Sequence, residues 1–339
     1  MSILSVPGVT LRGVVCAVPE RRVENDEFIG RFSAKSVADV TALTGVMTRY
    51  VAAPEQTAGD LCFASAERLL EQLEWHRDSV DALIFVSQTP DQRMPATSCI
   101  LHGRLGLARR CQAFDVGLGC SGYVYGTWLA AALIAAGCRR VLLLAGDTSS
   151  RLVNPDDRGT ALLFGDASSA TALEYAADAP PAHFNLGTDG SGAEYLTVPG
   201  GGFRPVPDDV VSGNALRMDG SAVFGFTIST VPALIREILT QAGRTADDID
   251  IFALHQANQF ILQHITKKLK IPVGRLPVNI DRYGNTSSAS VPLLLCTDLA
   301  DRLTETPAEL LMAGFGVGLS WGAALFSGVH LKCASVINV

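Results

Sequence analysis

Apolar positions along the chain fall into short compact runs alternating with longer stretches at helical spacing. Residues 81–87 (DALIFVS) read as a buried strand, 112–116 as another, and 140–145 as a third. Between them, 97–105 reads as a helix following the turn at Pro95, and 121–136 as a long apolar helix. The second half repeats the alternation, with helices expected over 221–242, 260–269 and 289–303 and strands over 249–254 and 276–280. This alternation predicts a layered α/β protein. The stretch 176–213, rich in Pro, Gly and Asp and containing PGGGFRPVPDD, predicts a linker at its start and surface loops beyond it. The expected division is therefore 1–175 and 176–339, two halves alike in topology without a repeat at the residue level.

Composition narrows the class. Of 339 residues, 48 % are hydrophobic and 18 % charged, which argues for a packed core and against disorder. A net charge of -7 argues against a nucleic-acid binder, which needs a basic face. No apolar run reaches the roughly 18 residues of a membrane span, and no charged-then-apolar leader opens the sequence, so a cytoplasmic protein is expected. The eight cysteines include no C-x-x-C pair, so seven are expected to be buried free thiols. Cys120 is set apart by its surroundings.

Gly117-Leu118-Gly119-Cys120-Ser121-Gly122 follows a predicted strand and opens a predicted helix. Glycines allow a tight turn there, and a helix N-terminus favours a thiolate through its free N–H groups and dipole. The same turn can offer an N–H to a developing oxyanion. The segment also fits G-x-G-x-x-G, with Asp147 ending the next strand. A dinucleotide fingerprint, however, belongs in the first strand–helix unit with its acid about 20 residues on. A buried structural cysteine is the plainer alternative.

His255, in LHQAN, follows the strand at 249–254 and should emerge at its carboxyl end, where open α/β sheets bind ligands. Asn285, in YGNTSS, sits in a polar turn before a helix, where capping the turn is as good a reading as catalysis. As a pair, a neutral histidine and an asparagine amide can both donate to one carbonyl oxygen and stabilise an enolate. With a cysteine nucleophile opposite, the set supports acyl transfer followed by carbon–carbon bond formation. The glycine-rich FGVGLSWG (315–322) reads as a turn into a final strand, a simple hairpin or a backbone N–H brought close to substrate.

These segments together, with TGVMTRYVAAPEQT (44–57), DRGTALLFGDASSA (157–170) and KKL (267–269), resemble ketosynthase III, the initiating condensing enzyme of fatty-acid synthesis in the thiolase-like superfamily. The resemblance covers nearly the whole chain. It implies a five-layered αβαβα fold of two similar halves, a homodimer, and an acyltransferase whose Cys120 is acylated. His255 and Asn285 would assist decarboxylation of a malonyl thioester, and the oxyanion hole would use the backbone N–H groups of Cys120 and Val317. It implies coenzyme A or acyl-carrier-protein thioesters as substrates, with no metal and no tightly bound redox cofactor. Arg158, Gly220, Phe224 and Asn258 would line the coenzyme A tunnel, and Met94 would gate the acyl pocket from the second subunit.

The chain departs from the family where the nucleotide is held. The stretch SAKSVADVTALTG lacks the family's tryptophan and arginine, Leu43 standing at the arginine position, and Phe260 replaces a frequent arginine beyond HQAN. Lys267, Lys268 and Lys270 form a basic run suited either to an acidic carrier protein or to a solvated helix end. Three rivals stand beside condensation: acyl transfer to oxygen or nitrogen, a nicotinamide-dependent oxidoreductase, and a binding module without activity.

Overall fold

A computed structural model describes residues 4–206 and 213–339; Pro207, Asp208 and Asp209 of the expected loop lie outside the described residues. In chain order the strands are β1 (Leu4–Val6), β2 (Val9–Val18), β3 (Arg22–Glu24), β4 (Thr48–Tyr50), β5 (Ala82–Val86), β6 (Gln112–Val116), β7 (Arg140–Asp147), β8 (Ala167–Tyr175), β9 (Ala182–Thr188), β10 (Leu196–Thr197), β11 (Arg217–Met218), β12 (Ile251–Leu254), β13 (Ala308–Gly316), β14 (Ser320–Val329) and β15 (Cys333–Asn338). The helices are α1 (Ala34–Thr44), α2 (Ala58–Gln72), α3 (Thr97–Arg104), α4 (Gly122–Ala135), α5 (Arg158–Ala161), α6 (Gly220–Gln241), α7 (Gln259–Leu269), α8 (Ile280–Tyr283), α9 (Ser290–Cys296) and α10 (Ala300–Glu305).

Two mixed sheets organise the molecule. One runs β15-β2-β8-β7-β5-β6, the other β1-β9-β14-β13-β12. Helices α4 and α9 pack against both, α2 and α3 cover the outer face of the first, and α6 and α7 cover the second. The layers are therefore αβαβα, the thiolase-like arrangement. Each sequence pattern follows from its layer. The run ALIFV of β5 is buried throughout, because it lies between parallel neighbours with helices on both faces. Helix α4 carries no charge because it sits between two sheets. A core joins the sheets around Val86, Val124, Leu143, Leu294 and Met312, and separate cores lie beneath the outer helices.

The terminal strands cross between the halves. β1 pairs with β9 in the second sheet, and β15 pairs with β2 in the first. FGVGLSWG forms the β13–β14 hairpin, but β14 is not the final strand, since β15 follows it.

Two expected elements need correction. Residues 276–280 are not a strand: Pro277 has no N–H for a ladder, and the segment instead packs Leu276 and Val278 on the outer core. The helix expected over 289–303 is broken into α9 and α10. Thr297 leaves helical geometry (φ -110°, ψ -87°), and its hydroxyl takes a hydrogen bond from the Asn279 amide at 3.0 Å. Among the described residues one helix, α6, is long and apolar enough by composition to cross a membrane, contrary to expectation; here its apolar face lies on β13, β14 and β9. The cysteines also differ from expectation, with Cys99 exposed and Cys138 and Cys333 half-buried.

Candidate active site

Cys120 is buried at the start of α4, directly below the β13–β14 turn. The approach is close enough to demand glycine. A Cβ on Gly316 would lie 2.8 Å from the Cys120 Cβ, and one on Gly314 would lie 2.6 Å from the Cys120 carbonyl oxygen. The backbone N–H groups of Val317 and of Cys120 itself both face the thiol. Ser121 ties the helix start to the hairpin through a 2.6 Å contact with Ser320.

The helix-end argument for a resting thiolate is overturned by burial. Desolvation, followed by the nearby Asp147 carboxylate, pushes the Cys120 thiol up to about 11, although Ser287 and two backbone N–H groups pull it down. The thiol therefore rests protonated.

His255 follows the carboxyl end of β12, and its own N–H is fixed by the carbonyl of Ala313 at 2.8 Å. Burial drives its pKa down to about 3, so the ring is neutral at pH 7. Its Nδ1 lies 2.6 Å from the Ser290 hydroxyl, which also stands 3.0 Å from the carbonyl of Ser287. That hydroxyl has one proton: given to the Ser287 carbonyl, it leaves the ring proton on Nδ1; given instead to Nδ1, it leaves the ring proton on Nε2. Phe315 packs edge-on against the ring, 5.4 Å between centroids.

Asn285 is held by backbone pairing with the segment before β8: its N–H donates to Leu163 and its carbonyl accepts from Gly165. Gly284 (φ +67°) makes this approach possible, since a Cβ there would lie 2.7 Å from the Leu163 carbonyl. The buried Arg49 packs beneath both glycines and is fixed by Asn25 at 2.8–2.9 Å. The Asn285 side-chain oxygen accepts from the Ser287 N–H at 3.0 Å, so the turn-capping role is real. It also fixes which way the amide points.

Two hollows meet at Cys120. One of 460 Å³ is lined by Cys120, His255 and Asn285, and by Gly220, Phe224 and Asn258, three of the expected tunnel residues. The other, 610 Å³, is lined by Cys120, Asp147, Ser287 and Val317, and extends past Leu152 and Leu216 to Gly201. A larger surface groove of 770 Å³ along α2 shares no residue with either.

The remaining expected residues fall further out. Arg158 is exposed and donates to the Ser36 hydroxyl of α1 at 2.7 Å, beside the first hollow without lining it. Asn258 caps α7 through a 2.8 Å bond from the Ile261 N–H. Met94 is 83 % exposed and lines neither hollow of its own chain. Lys267, Lys268 and Lys270 are all exposed, and Lys268 also donates to the Ile228 carbonyl at 2.7 Å. Pro232 deprives that carbonyl of its usual helical partner, so Lys268 is engaged in patching α6.

Sequence reasoning missed Asp147 as a site residue, weighing it only as a ribose-binding acid. It is 1 % exposed and accepts from the Gln88 and Ser288 N–H groups and from the hydroxyls of Ser288 and Ser87. An acid ending a buried strand opposite the cysteine turn was the available signal. Phe224, Phe260 and His264 form an unexpected aromatic group at the edge of the first hollow, with Phe224 and Phe260 stacked at 5.3 Å.

Profiles of known families match two parts of the chain. Residues 114–190 match 3-oxoacyl-[acyl-carrier-protein (ACP)] synthase III, and residues 239–327 match the C-terminal part of the same enzyme. Beta-ketoacyl-[acyl-carrier-protein] synthase III 2 of Streptomyces coelicolor is 38 % identical over 321 residues, covering 94 % of this chain and 93 % of its own length. A crystal structure of 3-oxoacyl-(acyl-carrier protein) synthase from Burkholderia xenovorans is 48 % identical, with a TM-score of 0.97 over 100 % of this chain and 99 % of that one. The priming beta-ketosynthase of the R1128 polyketide pathway is 28 % identical, with a TM-score of 0.83 over 97 % of this chain and 99 % of that one.

Proposed function

The chain belongs to the 3-oxoacyl-[acyl-carrier-protein] synthase III family, and on that footing we propose how its residues divide a decarboxylative condensation. The enzyme is a condensing transferase that joins an acyl group from a thioester to a malonyl thioester, giving a 3-oxoacyl product. In our reading Cys120 is the acyl acceptor, loaded through the first hollow, and the acyl chain lies in the second. The backbone N–H groups of Cys120 and Val317 hold the thioester oxygen during acylation. His255, neutral through burial, and the Asn285 amide then donate to the malonyl thioester carbonyl while carbon dioxide leaves. The enolate carbon attacks the acyl-cysteine and frees the thiol.

The observation that carries this reading is convergence: one 460 Å³ hollow is lined by Cys120, His255 and Asn285, brought together from both halves of the sequence. The chemistry closes without a tightly bound cofactor, since the thioesters bring the reacting groups. We further take the first substrate to be a carrier-protein thioester in preference to coenzyme A. The rim of the first hollow presents Val40, Leu43 and Phe260, and Arg158 beside it donates to the Ser36 hydroxyl. Base stacking on an aromatic clamp is worth about 1–3 kcal/mol, so losing that clamp weakens nucleotide binding roughly 5- to 150-fold. A cytoplasmic homodimer, with Met94 of the partner subunit at the mouth of the second hollow, completes the proposal.

The experiment is the intact mass of the protein after incubation with a panel of acyl thioesters. A single acyl adduct is expected on the native chain and none on Cys120→Ala, whereas Cys111→Ala and Cys138→Ala keep it. Undiminished acylation of Cys120→Ala would end the proposal.

A further inference from the structure

Both groups assigned to the enolate depend on one short turn, residues 285–290, and within it on Ser287. The N–H of Ser287 donates to the Asn285 side-chain oxygen at 3.0 Å, which sets the direction of that amide. Its carbonyl stands 3.0 Å from the Ser290 hydroxyl, the group that meets Nδ1 of His255 at 2.6 Å. Ser287 itself sits in the left-handed region (φ +51°), which a residue with a Cβ keeps only where its surroundings hold it there.

The hold comes from the other half of the chain. Ser288, the next residue, donates twice to one oxygen of Asp147: its hydroxyl reaches Oδ2 at 2.6 Å and its N–H reaches the same atom at 3.2 Å. The other oxygen, Oδ1, accepts from the Gln88 N–H at 2.8 Å and from the Ser87 hydroxyl at 3.2 Å, just beyond β5. Asp147 ends β7, which pairs with β5, and β5 pairs in turn with β6, the strand that leads into the Cys120 turn. One buried carboxyl thus ties the turn carrying Asn285 to the sheet that carries the nucleophile. Ser288 is buried and lines neither hollow, so it makes no contact of its own with substrate there.

We propose that Asp147 is a positioning residue for the decarboxylation step. Through Ser288 it fixes the turn from which Asn285 and, by way of Ser290, His255 are aimed at the malonyl carbonyl. Asparagine cannot take its place. Both edges of the carboxyl receive a backbone N–H, which cannot turn round to accept, whereas an asparagine offers one oxygen and one NH2. Whichever edge took the NH2 would set donor against donor. Loss of the Ser288 hydroxyl loosens the same tie without altering either hollow. Misplacing a reacting group by about 1 Å costs on the order of 10²-fold in rate.

This inference rests on the division of labour proposed above, with Cys120 as acyl acceptor and Asn285 and His255 serving the malonyl step. Two rates are measured on the native chain, Ser288→Ala, Asp147→Asn and Asp147→Asn/Ser288→Ala. One is acylation of Cys120 by an acyl-carrier thioester; the other is carbon dioxide release when the loaded protein meets a malonyl-carrier thioester. Their ratio is the readout, because a general loosening of the fold lowers both rates together. Each single variant should lower the ratio of carbon dioxide release to acylation at least about 10-fold. The double variant should fall no more than about 3-fold below Asp147→Asn, since the hydroxyl acts through the carboxyl. Should Asp147→Asn fail to fold, as near-ultraviolet circular dichroism would reveal, the Ser288→Ala ratio alone decides. An unchanged ratio in either folded variant, or losses that multiply in the double variant, overturns the positioning role and leaves the functional reading standing. A native chain that takes up no acyl group, or loads and then releases no carbon dioxide, would instead overturn that reading.

Discussion

At the scale of single residues, the site is built from groups whose ordinary chemistry is altered by burial. His255 gives the clearest consequence for stability. Its pKa falls from an ordinary 6.5 to about 3 on folding, because the buried ring resists charge. The unfolded chain therefore binds a proton that the folded chain refuses. The resulting stabilisation is complete above pH 6.5 and is lost as pH falls from there toward 3. His183 has a depressed pKa as well, so the native profile alone does not isolate His255. The difference between the native chain and His255→Asn does. Urea midpoints from pH 8 to 4.5 should show the native chain losing stability faster than the variant on acidification. Parallel profiles would mean that His255 is not held neutral by the fold.

At the scale of elements, what was legible in the sequence depended on how local the signal was. The strands at 82–86, 112–116 and 251–254 and the helices α4, α6 and α7 were readable from period and turn residues, as was the cysteine at a strand–helix turn. The segment 276–280 looked like a strand because its apolar residues do face a core. Only Pro277 marked it as a packed loop. The break at Thr297 carried no local signal, and the Asn279 amide that bonds its hydroxyl comes from a distant turn. For the same reason Lys268 looked available for docking: its partner, the carbonyl stranded by Pro232, lies on another helix. The three lysines should therefore behave differently. Lys267→Glu with Lys270→Glu should slow acylation by a carrier-protein thioester and leave loading from coenzyme A unchanged, an effect weakened by salt. Lys268→Met should lower stability by about 0.5–1.5 kcal/mol, the worth of one hydrogen bond, and less when combined with Pro232→Ala, which restores a helical N–H. Paired equilibrium unfolding and loading assays check both. Equal effects of all three charges on loading would return Lys268 to the docking surface.

At the scale of the whole molecule, the two sheets are locked by α4 and α9 between them and by terminal strands that pair with the opposite half. That arrangement explains how residues far apart in sequence meet at one thiol. Cys120 comes from the turn before α4, His255 from the end of β12, and Asn285 from a loop pinned to the segment before β8. The central claim is that this meeting performs two successive half-reactions on Cys120. The most direct test is a pulse and chase followed by intact mass and carbon dioxide release. The protein is loaded from an acyl-carrier thioester, freed of excess donor, and mixed with a malonyl-carrier thioester. The account predicts that the Cys120 adduct disappears as one equivalent each of carbon dioxide and 3-oxoacyl product forms. It further predicts that His255→Ala and Asn285→Ala load normally but release carbon dioxide about 10²–10³-fold more slowly. Loss of the adduct without carbon dioxide, or variants that lose loading and decarboxylation in equal proportion, would contradict it.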